Sequence, residues 1–395
     1  MNIDYLIIGQ GLAGSLLAWE LIQRGCKVVI VDNGQENASQ VAAGLINPIT
    51  GMRFVKSADV DTLLPTAKHC YFQLADFFQQ EFYVEKPMLR LFRSDGELAN
   101  ADKRLNTPDY QAYLGDMQFP GKTLDNLATP FGFMEQKQTG YLLTEPLLSC
   151  LKTFFIAQDS YRQADFDYRD IQLEPSLHWQ DISPKQIIFC EGCQATQNPW
   201  FSYLPFQPVK GEILTLEHQT ELPDKILNYG NWLIPLNDHR IRIGATFDRE
   251  NLNIQATEQG KNDLLNALKQ ISPGLTHTTL VSHQANVRPC TQDRQPFIGY
   301  HPKHDNIAIF NGFGAKGSLQ IPWHSRHFAD VLLNGFPLSK TCNIQRYLEY
   351  KLCLCLQAKL PLLLTPLTYI PAGKACTPAV SIFSHLRRHE THFTA

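Results

Sequence analysis

Charge and long apolar runs are both scarce in this chain. Lys, Arg, Asp and Glu make up only 18% of its 395 residues and nearly cancel, to a net charge of -3. That balance carries no electrostatic footprint for nucleic acid, whose phosphates recruit strongly basic faces. Tyr5 to Ile22 is mostly apolar, but Asp4 stands where a signal peptide carries positive charge, and a glycine motif interrupts the run. No other stretch approaches the roughly 18 to 20 apolar residues that cross a bilayer, so a cytoplasmic protein without a membrane span is expected. Ten cysteines are too few for a disulfide scaffold in a chain of this length. Cys190-Glu191-Gly192-Cys193 has the spacing of a redox or metal pair, yet no second pair accompanies it, and a structural or cofactor-adjacent role is expected. No His-Glu-x-x-His array occurs, so no metal site is expected. What remains is a globular chain long enough for two domains, with a small molecule as the natural ligand.

The first 32 residues carry the main signal. An apolar run, Tyr5-Leu6-Ile7-Ile8, meets Gly9-Gln10-Gly11-Leu12-Ala13-Gly14; a helical stretch follows to Arg24, and Val28-Val29-Ile30-Val31 ends in Asp32. This is the spacing of a dinucleotide site. Gly9 permits the tight turn, Gly11 lets a pyrophosphate approach the backbone, and Gly14 lets helix and strand pack closely. The helix N-terminus offers free N–H groups to phosphate, and Asp32 can accept a hydrogen bond from a ribose hydroxyl. By itself the unit allows NAD or FAD.

Further along, the small residues Ala42-Ala43-Gly44 follow the ribose-binding acid, where backbone can lie against a flat ligand. Residues 58–82 read as a helix, 87–135 as short strand-like pieces, 144–155 as a helix, and 161–171 and 186–189 as strands. The texture changes over 205–285. There 210–216, 232–236 and 240–244 look like antiparallel strands, with Asn237-Asp238-His239 as a turn and one helix over 258–271. A strand at 306–310 then runs into Asn311-Gly312-Phe313-Gly314-Ala315-Lys316-Gly317, followed by a helix from about Pro322 to Leu333. A second strand, glycine turn and helix at the far end implies a nucleotide-binding domain split along the chain.

Together these motifs resemble the FAD-dependent D-amino acid oxidase family, which includes glycine and sarcosine oxidases. The resemblance covers roughly residues 1–347. It rests on the glycine motif with Asp32, Ala42-Ala43-Gly44, Pro208-Val209-Lys210-Gly211-Glu212, Trp232-Leu233-Ile234-Pro235, Ile243-Gly244-Ala245-Thr246, Val287-Arg288-Pro289 and the Gly312 to Gly317 turn. It implies an α/β protein of two domains: a Rossmann-like FAD-binding domain (1–57, 140–204 and 286–347) and a discontinuous antiparallel-sheet substrate domain (58–139 and 205–285). It implies noncovalent FAD, with Gly9, Gly11, Leu12, Ala13 and Gly14 at the pyrophosphate and Asp32 at the adenosine ribose. Ala42, Ala43 and Gly44 would pass near the flavin, Phe166 would offer backbone to adenine, and Cys190 with Gly192 would line the cofactor. Gly314, Ala315, Lys316 and Gly317 would reach the flavin's pyrimidine edge. Some relatives attach flavin to a cysteine; Cys290 lies nearby but out of register. Ala315 stands where glycine oxidase has a carboxylate-gripping arginine. Lys316 and Trp232 are therefore the candidates for substrate binding.

The expected chemistry is hydride transfer from the α-carbon of an amine or amino acid to flavin, giving an imine that hydrolyses. Oxygen or another acceptor would take the electrons. Two alternatives stand beside this: a flavin oxidase acting on a modified tRNA uridine, or a flavin-bearing subunit of a hetero-oligomeric dehydrogenase. Residues 351–395, with Pro361, Pro366 and Pro371 and the cluster His385, His389 and His392, fall outside the pattern and are expected to be a poorly ordered tail dispensable for flavin binding.

Overall fold

The computed structural model of the chain describes residues 1–121, 124, 126–236 and 239–347. The expected tail at 351–395, its histidine cluster, and Asn237 and Asp238 of the expected turn lie outside the described residues.

Two sheets organise the described chain. The first has six strands in the order Tyr161–Gln163, Val28–Asp32, Asn2–Ile8, Ser183–Phe189, His304–Asn311 and Phe297–His301. The first five run parallel, and the last pairs antiparallel at the edge. Parallel strands are buried on both faces, which explains the unbroken apolar runs at Tyr5–Ile8 and Val28–Val31. On one face the helices Leu12–Gln23, Val60–Phe78, Thr144–Ala157 and Gly317–Asn334 share a core with Ile7, Ile30 and Ala308. On the other, Leu6, Val29 and Phe189 pack against Trp179, Phe201 and Leu204.

The second sheet has eight strands: Thr279–Arg288, Val209–Glu217, Arg240–Gly244, Trp232–Pro235, Ile226–Asn228, Met88–Leu91, Phe133–Gln136 and Leu114–Gln118. Neighbours are antiparallel except Ile226–Asn228 with Met88–Leu91. One face carries Leu214, Leu216, Leu227, Leu233, Ile241 and Ile243 onto the helix Glu258–Ile271. By the alternation of strands, the opposite face presents Gly211, Ile213, Asn228 and Trp232, and these line the large cavity.

Three elements differ from the sequence reading. The strand expected over 161–171 is only Tyr161–Gln163, because the Asp167 carboxylate accepts from Arg169 N–H and folds Tyr168–Asp170 into a 3-10 turn. The last helix begins at Gly317, with Pro322 inside it. Proline cannot donate to the Ser318 carbonyl one turn back, and the buried Tyr71 hydroxyl donates to that carbonyl instead, at 2.6 Å. A helix at Asp95–Leu105 sits within the stretch read as strands; Ser94 caps it by accepting from Glu97 N–H.

Candidate active site

The dinucleotide end is built by close backbone packing. Gly9 has φ 103°, and a Cβ there would lie 2.7 Å from the Cys190 carbonyl oxygen. A Cβ on Gly14 would lie 2.0 Å from the Gly9 carbonyl oxygen, so this glycine lets the helix touch the strand it follows. Gly11 is the N-cap of that helix in extended backbone, and the Ser39 hydroxyl accepts from Leu12 N–H at 3.1 Å. Asp32 accepts from Gln10 N–H at 2.8 Å and from Gly34 N–H at 2.7 Å, one bond on each oxygen. A carboxylate has about four acceptor positions, so Asp32 keeps capacity for a ribose hydroxyl.

One cavity of about 1270 Å³ joins this end to the second sheet. Gly9, Gly11, Leu12, Ala13, Asp32, Ala42, Ala43, Gly44, Phe166, Cys190, Gly192, Trp232, Gly314, Ala315, Lys316 and Gly317 all line it. Of the residues expected to hold cofactor or substrate, Gly14 alone lies outside the lining, in the packed layer beneath. A cavity larger than the roughly 300–1,000 Å³ of ordinary ligand clefts suits a long cofactor together with a substrate.

The middle of the cavity is pinned from both sides. Gly44 has φ 67°, and a Cβ there would meet the Leu142 carbonyl oxygen at 2.0 Å. The Thr144 hydroxyl donates to the Ala42 carbonyl at 3.2 Å, and Arg242 donates to the Val41 carbonyl at 2.9 Å. Opposite, Gly192 has φ 57° with nothing within 4 Å of a built Cβ, and its carbonyl accepts from Asn311 Nδ2 at 2.9 Å. The Phe166 ring stacks on Trp179 with centroids 5.0 Å apart. Cys190 and Cys193 are free thiols, and burial pushes both above the usual thiol range, which disfavours redox reactivity. Between them, Glu191 accepts from Tyr168 Oη at 2.7 Å and Asn198 Nδ2 at 2.8 Å, and burial pushes its carboxyl up to about 7.

At the far end Trp232 forms part of the roof. It lies over Gly244, where a Cβ would come within 2.6 Å of the indole. Lys316 donates to the Ser57 hydroxyl at 2.9 Å; burial, then the nearby Arg294 charge, pulls its ammonium below the usual lysine range. Ala315, beside it, is exposed. Sequence reasoning did not single out Arg288 as a site residue. Its guanidinium lines the cavity, lies across Gly211 where a Cβ would be 1.9 Å away, and donates to the Thr246 carbonyl at 2.7 Å. Neither Arg288 nor Lys316 forms an ion pair with an acid among the described residues. The sequence signals for Arg288 are its place in the Val287-Arg288-Pro289 motif and a lone charge next to proline at a strand end. Chemically, the site offers backbone and an acid for a dinucleotide, cations for an anionic ligand, and an aromatic roof. No cluster of metal-ligating side chains occurs among the described residues, and no described helix is long and apolar enough to cross a membrane.

Comparison with known proteins shows the family and the fold. The family model described as "FAD dependent oxidoreductase" (DAO) matches residues 4–126 and 172–331. A glycine oxidase of Pseudomonas putida is 28% identical over 381 residues, covering 86% of this chain and 96% of the relative. A tRNA 5-methylaminomethyl-2-thiouridine biosynthesis bifunctional protein of Acinetobacter baylyi is 24% identical over 374 residues; the match covers 87% of this chain and only 56% of that protein. The crystal structure of glycine oxidase from Geobacillus kaustophilus superposes with a TM-score of 0.75 at 20% identity, over 86% of this chain and 96% of that one, which shows a shared fold.

Proposed function

The chain belongs to the FAD-dependent oxidoreductase family, and we propose that within it this protein oxidises the C–N bond of a small amine or amino acid. The observation that carries this reading is one cavity whose wall includes Asp32, Gly9 and Gly11 together with Trp232 and two cations, Arg288 and Lys316, that have no acidic partner among the described residues.

The residues present fit the cofactor. Close packing at Gly9 and Gly14 brings the N-terminus of Leu12–Gln23 to the cavity wall, where it would hold the pyrophosphate. Asp32 would take the ribose, Phe166, Cys190 and Gly192 would line the adenosine side, and Ala42, Ala43 and Gly44 would lie along the ring system. Gly314, Ala315, Lys316 and Gly317 would face its pyrimidine edge. Binding is noncovalent in this reading, since Cys290 is not part of the cavity wall, and burial keeps the wall cysteines Cys190 and Cys193 as thiols. When bound, FAD supplies a two-electron acceptor for the C–H bond next to nitrogen.

The chain's own residues bind and orient. Arg288, with Lys316 beside the last turn, would anchor a substrate carboxylate; burial in low dielectric strengthens that attraction. Trp232 covers the reacting carbon and excludes water until the imine has formed. No protein nucleophile is needed. The imine is hydrolysed by water to a carbonyl compound and a free amine, and oxygen or another acceptor takes the electron pair. Residues 1–57, 140–204 and 286–347 would form the cofactor half, and 58–139 with 205–285 the substrate half. A cytoplasmic location suits such chemistry.

The bifunctional relatives give the tRNA reading one specific support, but this chain spans about half their length and has a net charge of -3. The test is the absorption spectrum of purified protein before and after anaerobic addition of glycine, sarcosine, proline and D-alanine. Bleaching of the flavin bands is expected. Unchanged bands across a broad amine panel, with salt-dependent tRNA binding, would replace this reading by the other.

A further inference from the structure

The loop 245–257, between the strand Arg240–Gly244 and the helix Glu258–Ile271, holds three apolar side chains out at the cavity wall. Phe247 is 64% exposed, Leu252 39% and Ile254 60%, and all three line the cavity. Single exposed apolar residues are ordinary; three within eight residues around one opening are not.

The loop is also fastened against collapse. Lys210, only 1% exposed, donates its ammonium to Asn253 Oδ1 and to the Gln255 carbonyl. Backbone bonds run both ways between Lys210 and Asp248, at 2.8 and 3.1 Å. The Asp248 carboxylate accepts from Glu250 and Asn251 N–H, and Glu212 accepts from the backbone and hydroxyl of Thr257. A buried lysine and a buried glutamate are expensive groups to spend on a loop. Their effect is to fix the loop backbone from which the apolar side chains project at the cavity wall. The collar adjoins the site's cation directly: Arg288 donates to the carbonyl of Thr246, the residue before Phe247.

We propose that 245–257 is a specificity collar, and that the substrate is a carboxylate-bearing amine whose remaining substituent is an extended apolar group of three or more carbons. The collar rests on the amine-oxidation reading above and adds the substrate class to it. With the carboxylate on Arg288, such a substituent meets Phe247, Leu252 and Ile254 and removes them from water. Glycine or sarcosine would leave the collar wet; they would still bleach the flavin when added in excess, but with a lower kcat/KM than their longer homologues.

The test uses FAD-loaded protein and two readouts. The first is flavin absorbance perturbation by acetate, butyrate, hexanoate and octanoate. The second is kcat/KM for glycine, alanine, norvaline and norleucine, and for N-methyl-, N-ethyl- and N-butylglycine. Affinity is expected to rise about fourfold per methylene beyond butyrate. In the double variant Phe247→Ser with Ile254→Ser this slope is expected to fall below about twofold, with FAD still bound, whereas Phe247→Leu retains it. A flat series in the native protein overturns the collar, as does an unaltered slope in the double variant. Loss of FAD in that variant would assign the loop to the cofactor instead and also overturn it. If small amines bleach the flavin without length dependence, the oxidation reading survives and the collar fails. If neither amines nor carboxylates alter the spectrum, both fail.

Discussion

Arg90 and Asn228 fix each other's orientation in the roof of the cavity. Arg90 Nη1 donates to Asn228 Oδ1, and Arg90 Nη2 donates to the buried Glu97 at 3.1 Å. Arginine has only donors, so the asparagine must turn its oxygen toward it. The Asn228 amide N–H groups are thereby left for the cavity that this residue lines. Asn228 and Arg288 lie four strands apart in the sheet, roughly 19 Å at ordinary strand spacing, so they cannot grip the same carboxylate. The roof offers polar anchors at both ends, with Trp232 between them.

Asn228→Asp separates the structural partner from the donor. The new carboxylate keeps Arg90 paired, so the melting temperature should not fall. It places negative charge roughly 19 Å from Arg288, well beyond the screening length of about 8 Å at physiological ionic strength. KM for a small amino acid held at Arg288 is therefore expected to stay within about twofold. A rise of about tenfold in KM would show that the substrate is gripped at Asn228 and not at Arg288.

Arg288→Met should act more severely and more selectively. Removing the partner of a desolvated charge commonly costs about 2–5 kcal/mol, so kcat/KM for carboxylate-bearing amines is expected to fall about 100-fold or more. An amine without a carboxylate should change less than about threefold. Equal losses for both would mean that Arg288 serves the Thr246 carbonyl and the loop, and not the substrate.

How much of this was legible in the sequence depends on the range of the interaction. The Gly9–Gly14 turn and Asp32 declare themselves because all the constraints lie within one βαβ unit. Ser94 with Glu97 three residues on is equally local, a capping signal hidden among Pro and Gly punctuation. The start of the last helix misleads because proline favours a first turn, whereas Tyr71, 247 residues from Ser318, satisfies the carbonyl that Pro322 leaves free. Arg288 and Asn228 are illegible for the same reason. Their meaning depends on strand order, and Arg90 reaches Asn228 across 138 residues through the single parallel pair of an otherwise antiparallel sheet.

Gly14→Ala tests the opening turn. The added Cβ would lie 2.0 Å from a backbone oxygen, which no side-chain motion relieves. Flavin-free, destabilised protein is expected, by more than about 4 kcal/mol. Gly192→Ala meets no atom within 4 Å and has only its φ of 57° against it, so a cost of about 1–2 kcal/mol with FAD retained is expected. Absorbance at the flavin bands and thermal melting read both. A Gly14→Ala protein with full flavin would refute the close-packing argument.

Cys290 provides the check on cofactor attachment. Its sulfur would lie 3.2 Å from a Cβ on Gly314, close to the last glycine turn, but burial pushes the thiol up and away from the thiolate needed for attack. Acid precipitation should release all the flavin, and Cys290→Ser should leave its content unchanged. Yellow colour retained in the washed pellet of the native protein, but not of the variant, would show a covalent link.

Glu191 links the cofactor wall to pH. Its carboxyl titrates at about 7, raised by burial and only partly offset by the bonds from Asn198 and Tyr168. The folded state thus holds this proton more tightly than the unfolded chain, whose glutamates titrate near about 4.3. The resulting stability is complete below that value and is lost as pH rises through about 7. Glu191→Gln abolishes the titration and can keep the geometry. Asn198 cannot turn its amide, because its Oδ1 accepts from Trp200 and Phe201 N–H, so the glutamine oxygen would face it. The glutamine nitrogen would then donate to the Tyr168 oxygen, which can accept. Melts from pH 5 to 8 are expected to show the native protein losing on the order of 2–3 kcal/mol more than the variant, most of it between pH 5 and 7. Parallel curves over that range would mean that Glu191 is already ionised in the folded protein.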